Sequence, residues 1–67
     1  MMWLSEFIIL INFEKYSFNI IDLKTNVEME TIDSIETFRS FWLAMGDFKI
    51  VQIEPCSETR INVYIKR

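Results

Sequence analysis

The stretch WLSEFIILINF, residues 3–13, decides how the chain is folded, since eight of its eleven residues are apolar. At period two, Trp3, Ser5, Phe7, Ile9, Ile11 and Phe13 share one face, with Leu4, Glu6, Ile8, Leu10 and Asn12 on the other. Both faces carry apolar side chains, which predicts a central strand. Glu14 and Lys15 then form a tight turn, without the Gly or Asn that hairpins favour. Residues 16–23 read as a second strand. Tyr16, Phe18 and Ile20 share a face before the pattern slips to Ile21 and Leu23, and a bulge near Ile20 accounts for the slip.

Residues 24–30 are polar and read as irregular. A helix is predicted over residues 32–45, with Thr31 or Asp33 as N-cap and Asp33 with Glu36 as a capping box. Gly46, the only glycine, falls where the chain must turn left-handed after a helix. Residues 47–54 and 59–66 read as two more strands around the loop Pro55-Cys56-Ser57-Glu58. The last strand alternates cleanly, with Ile61, Val63 and Ile65 against Arg60, Asn62, Tyr64 and Lys66. The expected fold is therefore a single α+β domain over residues 1–67, in the order ββαββ. A four-stranded, mostly antiparallel sheet carries one helix on one face. In a protein G-like layout, strands one and four pair in the centre and run parallel. Phe38, Trp42, Ile9, Ile11, Val63 and Ile65 form the expected core.

Sixty-seven residues bury only about 60% of their unfolded surface, and such cores usually need a disulfide, a metal or a partner. One cysteine, Cys56, forms no intrachain disulfide, and without histidine the chain lacks the ligand set of a zinc site. Association remains. The longest apolar run, residues 7–11, is far short of the about 20 residues of a membrane span. The N-terminus has no basic region or small-residue cleavage site, so no signal peptide is expected. The lone thiol points to a reducing, cytoplasmic setting. The net charge is −3; residues 1–33 carry −4 and residues 34–67 carry +1. An acidic chain is not drawn to nucleic acid as a whole.

The residues that could carry chemistry are few. With no histidine, the usual acid–base group near neutral pH is missing. Cys56 has no histidine to activate it and reads as a passive loop thiol. Glu54 and Glu58 flank the same loop, where solvated charges are ordinary, and a chain this small offers little room for a substrate cleft. A single glycine rules out a Gly-rich phosphate loop. No enzymatic activity and no cofactor are expected.

Three candidate surfaces remain. Glu28, Glu30, Asp33 and Glu36 form an acidic run, which either docks a basic partner or complements a helix N-terminus. Lys49, Arg60, Asn62, Tyr64 and Lys66 form a basic face around one aromatic ring, the alternative surface for single-stranded nucleic acid; a solvated sheet face gives the same pattern. The helix has an apolar arc of roughly 200°, wider than the core-facing stripe it needs. Phe41 and Leu43 lie at the edges of that arc, and Ile8 and Leu10 on the far sheet face, so these four are the candidates for a partner or dimer interface.

The expected function is a non-catalytic protein-binding module, homodimeric, with a protein partner and no membrane. Frequent Ile, Asn, Lys and Phe suit an AT-rich genome, and with it a small phage or mobile-element inhibitor of a host protein or defence system. The alternative is a small nucleic-acid-binding regulator using the basic face. A third possibility is an enzyme subunit whose site is shared across a dimer.

Overall fold

A short helix, α1 (Leu4–Leu10), occupies the middle of the stretch expected to be a central strand. The computed structural model describes residues 2–66. Before α1 lies a two-residue strand, β1 (Met2–Trp3). The chain continues through β2 (Ser17–Asp22), β3 (Val27–Ile32), α2 (Ile35–Met45), β4 (Lys49–Pro55) and β5 (Arg60–Lys66). The α+β class stands. The four-stranded, one-helix layout is replaced by a five-stranded mixed sheet with two helices.

Two features explain α1. Leu4, Phe7, Ile8 and Ile11 recur at helical spacing, and all four are buried or pack on the core. The open N–H groups of its first turn find partners far along the chain. The Leu4 N–H donates to the Phe48 carbonyl at 2.8 Å. The Asp47 carboxylate accepts from both the N–H and the hydroxyl of Ser5. Glu6 reaches back to the Trp3 N–H at 3.0 Å. A carboxylate at this end also suits the helix dipole. The period-two reading fails here because nearly every residue is apolar, so either period can be fitted.

Residues 24–30, expected to be irregular, supply a hairpin turn and most of β3. The Asp22 carboxylate accepts the Lys24 N–H at 2.9 Å, and the Asp22 carbonyl accepts the Asn26 N–H at 2.7 Å. Asn26 sits at φ 58°, a conformation Asn tolerates. The β2–β3 register shifts between Ile20 and Ile21, and the extra residue lies in β3, where Ile20 faces Glu30 and Ile21 faces Glu28. Neither expected cap, Thr31 or Asp33, starts helix α2. Ser34 is the N-cap, its hydroxyl accepting the Thr37 N–H at 3.1 Å. Ile32 belongs to β3 instead.

The sheet order is β1-β4-β5-β2-β3. β2 and β5 run parallel, while the other neighbours are antiparallel. The parallel partner of the last strand is thus Ser17–Asp22 and not residues 3–13. Phe18 and Ile20 of β2 point to the same side as Ile61, Val63 and Ile65 of β5. Leu4 and Phe7 of α1 and Phe38 and Phe41 of α2 are buried against that side. Both helices therefore share one sheet face, and among the described residues no helix lies over the other face.

This sharing corrects the expected core. Phe38, Val63 and Ile65 are buried, and Ile11 packs at the edge. Ile9 points away from the sheet, and Trp42 is 41% exposed while Phe41 is buried. The buried direction of α2 lies between Phe38 and Phe41, about 70° round the helix from Trp42 at about 100° per residue.

Candidate interaction surfaces

The outer, helical side carries a groove of about 460 Å³ beside α2. Ile35, Phe38 and Trp42 supply its apolar wall, Ser5 of α1 a further part, and Glu36 and Arg39 the charged lining. Ile35 is 58% exposed, and Leu43, further round α2, is 72% exposed. At the far end of α1, Ile9 and Leu10 are 81% and 68% exposed. This side thus shows two apolar surfaces, the α2 flank and the α1 tip.

The four expected interface residues divide. Leu10 and Leu43 are exposed; Phe41 is buried and Ile8 packs against the core. The premise that Ile8 and Leu10 lie on the open sheet face is overturned, because a helix on the other side carries them. Trp42, Ile35 and Ile9 were missed as surface residues. Trp42 and Ile35 fall on the same apolar arc, and only the rotation of α2, set by Phe41 packing toward Phe48, distinguishes them from core. The Phe41 and Phe48 ring centroids are 6.1 Å apart.

The acidic run does not form one patch. Glu28 shares the open face with Ile21, whereas Glu30 lies on the helical side, lining a shallow hollow with Met29 and Phe41. Asp33 accepts the Thr37 hydroxyl at 3.0 Å, next to the start of α2. Glu36 stands in the first turn of that helix, in the groove. Local complementation of a helix N-terminus accounts for the last two.

The five residues of the basic face do share a surface. Lys49 pairs with Lys66, and Tyr64, Asn62 and Arg60 follow at alternate positions of β5. Trp3 joins them from β1 opposite Lys49, whose ammonium lies 5.3 Å from the indole centroid. The middle of the face carries no cation. Asn19 donates to Asn62 and accepts from the Thr31 hydroxyl, each at 3.1 Å, making a polar ladder across three strands. Arg60 and Lys66 stand at opposite ends of β5, about 20 Å apart at about 3.3 Å per residue. Glu54 faces Asn62 between them. The cations are thus set apart and form no continuous track for phosphates.

Cys56 is exposed in the β4–β5 turn, where its N–H donates to the Arg60 carbonyl at 2.9 Å. Among the described residues, no three His, Cys, Asp or Glu side chains cluster as metal ligands would, and no helix is long and apolar enough to cross a membrane. No protein-family model matches the chain, and no curated protein or solved structure is significantly similar to it.

Proposed function

We propose that this chain is a non-catalytic protein-binding module, a small phage or mobile-element inhibitor of a host protein, which holds its target through the helical side. The exposed pair Ile9 and Leu10 at the tip of α1 carries this reading. Adjacent large apolar side chains standing in water are costly and favour a covering partner. The lack of histidine supports a binding role over catalysis, and the single exposed thiol supports a reducing, cytoplasmic setting. The test is capture by chemical cross-linking in the native host, comparing wild type with Ile9→Glu. The variant should keep its circular dichroism and melting temperature and lose the captured protein. Identical capture by both chains would reject the reading.

A second reading rests on Trp3, which adds a second ring to Tyr64 on the basic sheet face. Two rings among three cations can stack bases of a single strand. Titration with a fluorescent oligonucleotide at two salt concentrations tests it. Salt-dependent binding that Trp3→Ala and Tyr64→Ala both weaken supports this reading, and no binding at low salt rejects it.

A further inference from the structure

We propose that the α2 flank formed by Ile35, Arg39 and Trp42 packs on the same flank of a second copy of this chain, antiparallel about a two-fold axis. The proposal rests on the helical side being a protein-docking surface and names the occupant of one part of it. The α1 tip, with Ile9 and Leu10, stays free for a different protein.

The charge pattern of α2 selects a second copy. Glu36 and Arg39 both line the groove and stand three residues apart. A two-fold axis midway between them sets Glu36 of each copy opposite Arg39 of the other, so the contact carries two opposite-charge pairs. Ile35 and Trp42 are related by an axis displaced by one residue, about 1.5 Å along the helix. One axis therefore serves both, with Ile35 of one copy against Trp42 of the other. A parallel arrangement would place Glu36 on Glu36 and Arg39 on Arg39. Self-complementarity of this kind is what a two-fold contact requires.

The sheet edges offer a poorer route. The β3 edge is interrupted by its bulge and carries Glu28 and Glu30, which oppose pairing with an identical strand. The outer edge of β4 is covered at one end by β1 and finishes in Pro55.

Sedimentation equilibrium of three samples tests the proposal: Glu36→Arg, Arg39→Glu and their equimolar mixture. Both positions are exposed, and circular dichroism checks the fold. Wild type should self-associate, and each variant alone should do so at least roughly tenfold more weakly, since like charges then face each other twice. The mixture should regain association, because both pairs are again opposite in sign. A wild type that stays monomeric, single variants that associate like wild type, or a folded mixture that stays monomeric would each overturn the proposal. If a variant does not fold, dilution of the Trp3→Phe chain gives an independent readout. Trp42 emission should shift to the red as copies separate, and constant emission would overturn the proposal. Loss of self-association leaves capture through Ile9 intact, so the two readings fail separately.

Discussion

Asp47 binds Ser5 twice, taking the backbone N–H at 3.1 Å through one carboxylate oxygen and the hydroxyl through the other. The two residues are 42 positions apart, so the cap of α1 comes from the loop between α2 and β4. Helix α1 has only seven residues, too few to be stable by propensity alone. Asp47→Ala should cost about 1–2 kcal/mol, the scale of a lost N-cap. Ser5→Ala should cost less, because the backbone bond survives. Urea unfolding measures both, and amide exchange at Leu4–Leu10 should speed up in Asp47→Ala ahead of the sheet.

Phe7 and Ile9 are two positions apart and have opposite environments. Phe7 is buried and meets Phe18 edge to face, with ring centroids 5.2 Å apart and planes at 86°. Ile9 stands in solvent. Phe7→Ala should cost about 3–5 kcal/mol and threaten the fold of so small a chain, whereas Ile9→Ala should stay within about 0.5 kcal/mol. A strand at this position would put both side chains on one face and make both substitutions expensive. Thermal or urea melts of the two variants therefore decide between helix and strand.

That contrast shows where the sequence could be read and where it could not. Helix α2 was legible because Glu36 and Gly46 mark its ends, although its cap is Ser34 and not Thr31 or Asp33, and β5 because its apolar and polar residues alternate without exception. Residues 3–13 were not legible, since an almost wholly apolar run fits both periods and the deciding cap lies at Asp47. Strand β3 was hidden because an edge strand with one partner keeps polar residues such as Glu28 and Glu30. At the candidate surface, the apolar excess of α2 was readable, and Leu43 is exposed. The choice between Phe41 and Trp42 was not, because it depends on Phe41 packing toward Phe48 beyond the end of the helix.

Cys56 lies exposed in the β4–β5 turn, held by its backbone N–H, which donates to the Arg60 carbonyl. Cys56→Ser should keep melting temperature and partner capture unchanged, and the native thiol should react with a maleimide as fast as in the unfolded chain. Protection of the thiol in the folded protein, or loss of capture in the serine variant, would assign it a contact.

Two residues with positive φ make different demands. Asn26 at φ 58° sits where Asn and Gly are both at ease, so Asn26→Gly should be close to neutral. Asn26→Val, with a branched Cβ, should cost about 1–2 kcal/mol. Gly46 at φ 86° and ψ −169° is not in the left-handed helical well; it occupies a region almost reserved for glycine. An added Cβ there would meet nothing within 4 Å, so any loss on substitution comes from the backbone alone. The Gly46 N–H also closes α2 by donating to the Trp42 carbonyl at 2.8 Å. Gly46→Ala should cost about 1–3 kcal/mol, and Gly46→Asn should cost as much, although Asn is the usual substitute for glycine after a helix. Urea melts of the two Gly46 variants provide the check. A tolerated asparagine would mean that the chain leaves α2 through an ordinary left-handed turn, and that the path placing Asp47 against Ser5 differs from the one described.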